Sequence, residues 1–212
     1  MIETARLLLR DWREEDIEPF VRHTNTPAVM RWLGGPRSPE EHRRIIHDRL
    51  MRWQRERGFT FWVVERKQDG ELLGFCGIKV ADGEGTPIAG EHEIGWRLRE
   101  DAWGQGYAKE AATAALDFAF DRIGAAQVVA ITFPPNEASW GLMERLGMRR
   151  REDLDHDDPR FPELNPTIVY SIDREAWSIV RKSGNRLLAQ NDATTRSSSV
   201  AKTMRPQEAK RR

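Results

Sequence analysis

The segment from Glu93 to Phe120 constrains this chain more than any other part of it. An apolar strand pattern through Ile94 to Leu98 runs toward Trp103-Gly-Gln-Gly-Tyr-Ala108 and then into a helix pattern. Gly104, Gly106 and Ala108 carry almost no side chain. A ligand can therefore approach the backbone closely, and the glycines can take positive φ. The first N–H groups of the helix have no partner within it, and the helix dipole places roughly half a positive charge there. Strand, glycine-bracketed turn and helix thus aim a row of N–H groups at one point. Such a point holds an anion, most naturally a phosphate. Ala111, Ala112, Ala115, Leu116 and Ala119 share one helical face, where four alanines permit close packing on a sheet. Lys109, Glu110, Thr113 and Asp117 fall largely on the other side.

Two widespread phosphate loops fit poorly. Tyr107-Ala108-Lys109 does not supply the Gly-Lys-Ser/Thr end of the Walker pattern. The dinucleotide fingerprint needs a third small residue where Lys109 stands, and an acid after the next strand, which Val128–Phe133 lacks. The whole constellation instead resembles the GNAT superfamily of acyl-CoA-dependent N-acyltransferases, and most of all its RimJ/RimL-type branch, which acetylates N-terminal amines of ribosomal proteins. The superfamily loop, Arg/Gln-x-x-Gly-x-Gly/Ala, aligns with Trp103–Ala108, with Trp103 at the usual Arg or Gln position. Trp-Gly-Gln-Gly-Tyr-Ala is itself typical of that branch. Leu7–Arg10, Leu73–Ile78, Asn136–Ser139 with Met143–Met148, and Val169–Trp177 resemble further segments of the branch in the same order, over about residues 1 to 180.

The resemblance implies an α+β fold. Its mixed, mostly antiparallel central sheet has about seven strands, with helices on both faces. The implied cosubstrate is acetyl-CoA, with no metal. The implied coenzyme contacts are Trp96, Arg97 and Leu98 on the entering strand, then Trp103, Gly104, Gln105, Gly106, Tyr107, Ala108 and Lys109 in the loop, then Asn136 and Ser139 beyond it. The expected partner is an amine acceptor, either a protein N-terminus or a small molecule. The expected assembly is a monomer or homodimer, without membrane or nucleic acid.

Composition is consistent with this. The chain has 212 residues, 39% hydrophobic and 32% charged, enough for one core. It lacks a run of 18 apolar residues, and Met1-Ile-Glu-Thr-Ala-Arg carries no apolar signal region. Cys76 is the single cysteine, which excludes an internal disulfide framework and a cysteine-based zinc site. A reducing cytoplasm is the expected location. Formal charge is zero but uneven: seven basic and two acidic residues lie from Ser183 onward, leaving 27 and 32 in the rest. The expectation is an N-acetyltransferase domain over 1–182 and a basic, disordered tail over 183–212. The mildly acidic domain suits a cationic acceptor.

Along the chain, Ala5–Trp12 reads as a strand. Thr26-Pro27 and Ser38-Pro39-Glu40-Glu41 read as helix starts, the second with a capping box. The helix from Ser38 is expected to reach Glu56. Phe59–Glu65 and Glu71–Val80 read as a hairpin whose Asp69-Gly70 favours a type I′ turn. Pro134-Pro135 precedes a helix over Glu137–Leu146, with Gly147 after its end. Met148–Arg151 and Asn165–Asp173 read as the last strands.

Amide formation from a thioester needs a free-base amine, a stabilised oxyanion and a proton or equivalent for the leaving thiolate. An α-amine, pKa about 7.7–8.0, needs a weaker base than a lysine at about 10.4. Glu93 is the candidate base, with Glu91 second; alternation turns both the same way and His92 the other. The superfamily's tyrosine acid, seven residues after the position of Asn136, is replaced here by Met143. By resemblance Ser139 takes over, its hydroxyl meeting the thiolate, while Asn136 touches the pantetheine arm and also reads as a helix N-cap. Trp32 and Trp53 fall in the helical region that, by resemblance, walls the acceptor groove. The acidic run Glu152–Asp158 is expected to draw in a cationic amine, through Asp155, Asp157 and Asp158. An acyl-CoA sensor without turnover is the competing reading, and the missing tyrosine favours it.

Overall fold

The computed structural model describes residues 1–183. The chain divides into two compact units, Met1–Arg174 and Glu175–Arg212. Within the second, residues 175–183 are helical. The tail expected over 183–212 lies outside the described residues apart from Ser183.

The first unit is built on one eight-stranded sheet. Its strands are β1 (Ile2–Glu3), β2 (Leu7–Arg10), β3 (Phe61–Arg66), β4 (Leu72–Val80), β5 (His92–Leu98), β6 (Gln127–Thr132), β7 (Arg149–Arg150) and β8 (Ile168–Asp173). Their spatial order is β1-β2-β3-β4-β5-β6-β8-β7. Every pairing is antiparallel except β5 with β6, which is parallel and joins only His92 to Val128 and Glu93 to Val129. The expected mixed, mostly antiparallel sheet is thus present. Beyond Glu93, β5 has no strand partner on its β6 side.

Alternation decides what covers each face. Trp62, Cys76 and Trp96 stand abreast on one face, Val63, Phe75 and Arg97 on the other. The first face receives α5 (Tyr107–Phe118), whose Phe118 ring meets Trp62 edge-on at 5.0 Å. The predicted alanine stripe is the reason this helix packs closely: Ala111, Ala112, Ala115, Leu116 and Ala119 are all fully buried. The second face receives α1 (Ile17–Thr24), whose Phe20 stacks on Phe75 at 5.8 Å. Beside α1 lie α2 (Pro27–Met30), α3 (Pro39–Ile45) and α4 (Arg52–Arg57). Trp12, Ile17, Phe20, Ile46, Leu50, Trp53, Val63 and Leu72 make the core beneath them. The remaining helix, α6 (Glu137–Arg145), follows β6. Among the described residues no helix is long and apolar enough to cross a membrane.

The start signals held. Thr26 accepts a hydrogen bond from Val29 N, and Ser38 and Glu41 cap each other's backbone. The helix begun at Ser38 reaches Arg57 through a π-helical stretch, Ile46–Met51, and Gly58 ends it in the left-handed conformation. Two expectations were wrong in detail. The opening strand does not begin at Ala5: Thr4 bonds Leu7 through both its backbone and hydroxyl groups, which folds a two-residue strand back onto β2. The hairpin turn is not the two-residue type I′. Arg66 N bonds Glu71 O across a four-residue loop, and Asp69 is held by the Arg66 guanidinium. That ion pair fixes Asp69 inside a longer loop, whereas the type I′ turn would centre Asp69 and Gly70 alone.

Candidate active site

Gly104 and Gly106 both sit at positive φ, 70° and 80°, as the loop reading requires. Gly106 is the N-cap of α5 and offers no side chain, and among the described residues no acceptor lies against the N–H groups of Tyr107, Ala108 and Lys109. These groups and the helix dipole fit a diphosphate. Trp103, half-exposed, spends its indole N–H on Leu98 O at 2.8 Å, and Gln105 bonds Asp101 O, so both side chains brace the loop from beneath. Arg6 was not expected here. Its guanidinium pairs with Glu110 at 2.6 Å, donates to Gln105 O at 3.0 Å and lies over the Tyr107 ring at 4.4 Å, strapping the turn to the start of β2.

The loop stands at the mouth of the gap where β5 and β6 part. Trp96 and Leu98 lie on the β5 edge of that gap. Asn136 and Ser139 lie across it, where β6 leads into α6. Asn136 occupies the N-cap position but does not cap: its amide donates instead to Thr132 Oγ1 at 2.9 Å, leaving its carbonyl oxygen unspent. Ser139 sits in the first turn of α6, half-buried, and its hydroxyl bonds no described residue. Met143 is buried in the helix, so nothing replaces the missing tyrosine at that place. Of the chain's two tyrosines, Tyr107 lies under Arg6, and Tyr170 lies buried on β8.

At the closed end of the gap is Glu93, only 6% exposed. Its carboxylate meets Lys79 Nζ at 2.9 Å, and Lys79 also bonds Asp82 at 2.8 Å. The pair follows from register, because Lys79 stands directly opposite Glu93 in the β4–β5 ladder. Burial pushes the Glu93 carboxyl above the usual carboxylate range, and Lys79 only partly opposes this. The Trp53 ring lies 5.9 Å from Lys79 Nζ, which places it beside this pair as well as in the core. Trp32 lies beside Arg31, 4.6 Å from its guanidinium, with no contact to Glu93. Glu91 precedes β5, half-buried, and its charge acts on His92 and Arg151 rather than on Lys79.

From Glu93 the same face of β5 continues through Gly95 to Arg97. The Phe61 ring covers Gly95, where an added Cβ would lie 2.7 Å from the ring edge. Phe61 and Phe75 stack at 5.1 Å. Phe61, Phe75, Gly95 and Arg97 all keep some accessible surface although helices lie over this face. Arg97, grouped by resemblance with the coenzyme contacts, stands on β5. Its side chain turns away from the phosphate loop and lies against Met30, Phe20 and Phe75.

In the acidic run, Asp155 pairs with Arg150, Asp153 with Arg151, and Asp158 with Arg160. Asp158 is buried and accepts from Arg160 N as well. Three of the run's five charges are therefore spent within the chain, while Glu152 and Asp157 stay exposed. Cys76 is fully buried, and burial pushes its thiol up, as an inert core cysteine requires.

Comparison with known proteins agrees with this arrangement. A family model described as an acetyltransferase (GNAT) domain matches residues 6–149. YkkB of Bacillus subtilis, an uncharacterized protein, is 34% identical over 146 residues, 68% of this chain and 83% of its own. The FsC-acetyl coenzyme A-N(2)-transacetylase of Aspergillus fumigatus is 30% identical over 188 residues, 85% of this chain and 79% of its own. The crystal structure of an acetyltransferase (GNAT family) from Bacillus anthracis superposes with a TM-score of 0.67 at 27% identity, covering 82% of this chain and 98% of that one. A helix-capped phosphate loop opening onto a parted parallel strand pair, in a chain so matched, belongs to the acetyltransferase (GNAT) family, and the protein is an acetyl-CoA-dependent N-acetyltransferase.

Proposed function

We propose that this chain acetylates an α-amine, foremost the N-terminal amine of a protein or peptide, with Glu93 as general base. The observation that carries this is the Glu93–Lys79 pair at the closed end of the β5–β6 gap. A carboxyl raised by burial but still tied to an ammonium group is a modest base. It matches an α-amine at about pKa 8 better than a lysine amine at about 10.4. The main-chain N–H groups from Gly104 to Lys109 grip the coenzyme diphosphate. Main-chain groups on the unpaired edge of β5 beyond Glu93 line the thioester's path. Glu93 takes the proton from the attacking amine, directly or through one water. Ser139 donates its hydroxyl to the departing sulfur, and Asn136 orients the pantetheine arm through its unspent carbonyl. The chain's resemblance to RimJ/RimL-type enzymes supports a protein N-terminus as acceptor. A small-molecule amine is the second reading, and the relative whose name specifies transfer to an N(2) nitrogen favours it.

The test is release of free thiol from acetyl-CoA in the presence of a peptide with a free N-terminus, its N-blocked lysine counterpart, an aminoglycoside and small polyamines. The free-N-terminus peptide is expected to turn over and the N-blocked one to lag. Tight acetyl-CoA binding with no thiol release from any amine would make the protein an acyl-CoA sensor instead.

A further inference from the structure

The helix-covered face of β5 holds a cation that the reaction just described does not use. Arg97 Nε is buried and hydrogen-bonds nothing. Arg97 Nη1 rests on the thioether of Met30, at 2.8 Å, which is a weak acceptor. The rings of Phe20 and Phe75 lie 4.6 and 5.1 Å from the guanidinium carbon. Among the described residues no carboxylate pairs with it. Burial, aided by the nearby charge of Arg37, pushes its pKa down to about 9. Arg37 likewise pairs with no described carboxylate and donates only to Leu33 O from its side chain. His42, buried next to these two arginines, has its pKa pushed down to about 4 by burial and by their charges.

Packing alone does not account for this arrangement. Between two phenyl rings and a methionine, an apolar side chain of similar length would cost no desolvated charge, and replacing buried ions with such residues is often stabilising. Two other arginines of the sheet have carboxylates: Arg10 has Asp16 and Glu65, and Arg99 has Asp101 and Glu71. Arg97 is on the same face of β5 as Glu93, four residues along. Its fork is matched to a carboxylate by shape, and Met30 is flexible enough to give up its place at Nη1.

We propose that Arg97 binds a carboxylate of the acceptor. The acceptor is then a primary amine that also carries an anionic group, as in a free amino acid or a peptide that begins with Asp or Glu. This rests on the acetyl-transfer reading above and narrows its substrate class. It also reverses the cationic acceptor that composition suggested.

The experiment compares acceptors that differ only in that charge: amino acids against their carboxamides, and Glu- against Gln-initiated tripeptide amides. The first pair reports on a small-molecule source of the carboxylate, the second on a peptide. Thiol release and calorimetric binding to the coenzyme-A-loaded protein are measured for wild type, Arg97→Met and Arg97→Lys. In wild type the acid member of at least one pair should be favoured about ten- to a hundredfold in kcat/KM, through KM. Arg97→Met should erase the preference, Arg97→Lys should keep part of it, and acetyl-CoA affinity should be unchanged in both. Equal use of acid and amide by wild type overturns the assignment, and that comparison needs no variant to fold. So does a preference that survives Arg97→Met. If no acceptor releases thiol, binding decides: acid-over-amide binding lost in Arg97→Met upholds the carboxylate site while the transfer reading falls, and equal binding removes both.

Discussion

Glu93 is subject to two opposed effects, and which one wins sets how the protein should respond to pH. Burial disfavours its charge, Lys79 favours it, and the net direction is upward. The carboxyl must be ionised to accept a proton. Activity should therefore fall as pH drops through this raised value, at higher pH than an ordinary glutamate would give. Glu93→Gln should lower kcat about a hundredfold, leave acetyl-CoA affinity unchanged and remove that acid limb from the pH–rate profile. Wild-type turnover in this variant would take the base role from Glu93. Lys79→Met removes the favourable charge, so its acid limb should move to higher pH. An unmoved limb would assign it to some other group. Glu93 could be singled out in the sequence because it lies on the strand that enters the loop. Lys79 was not, because it meets Glu93 only through the β4–β5 register, which no local pattern reports. The direction of Arg97 was in principle legible, since it shares the parity of Glu93. The resemblance grouped it with the coenzyme contacts instead.

The loop at the head of α5 depends on two left-handed glycines more than on any side chain. A Cβ at either position meets backbone strain of roughly 1–2 kcal/mol. At Gly106 it would also lie 3.4 Å from Arg6 Nη2. Gly104→Val and Gly106→Val combined should weaken acetyl-CoA binding at least tenfold, measured by calorimetry, while circular dichroism shows the sheet and α5 retained. Full affinity in a folded double variant would sink the phosphate-loop assignment. Elements of this kind were the readable ones. The caps at Thr26 and Ser38, the alanine stripe of α5 and the two glycines each state their conformation within a few residues. The opening of the chain and the β3–β4 turn were misread because longer contacts decide them. Thr4 bonding to Leu7, and Arg66 capturing Asp69, override what Ala5–Trp12 and Asp-Gly prefer in isolation. In the acidic run, Arg150, Arg151 and Arg160 pair with three of the five acids, a pairing that local composition does not report.

Across the whole sheet, one short parallel seam joins the two halves, and the proposed coenzyme site lies along it. Strands β1 to β5 form one antiparallel half and β6 to β8 another, and only the two parallel pairs at His92 and Glu93 join β5 to β6. A coenzyme arm bound as proposed, with its diphosphate on α5 and its pantetheine against α6, would tie one half to the other. Binding that is specific to the folded state stabilises by mass action, by about 2.7 kcal/mol at a hundredfold excess over Kd. For a domain of this size that corresponds to a rise in Tm of roughly 5–10 °C. Acetyl-CoA should give this shift in a thermal melt of wild type. The Gly104→Val/Gly106→Val protein should lose the shift, because its loop no longer grips the diphosphate. Arg97→Met should keep it, because Arg97 lies against Met30, Phe20 and Phe75, and should itself melt no lower than wild type, since the substitution removes a buried charge without a counter-ion. A melting temperature indifferent to acetyl-CoA in all three proteins would mean that the gap between β5 and β6 is not where the coenzyme lies.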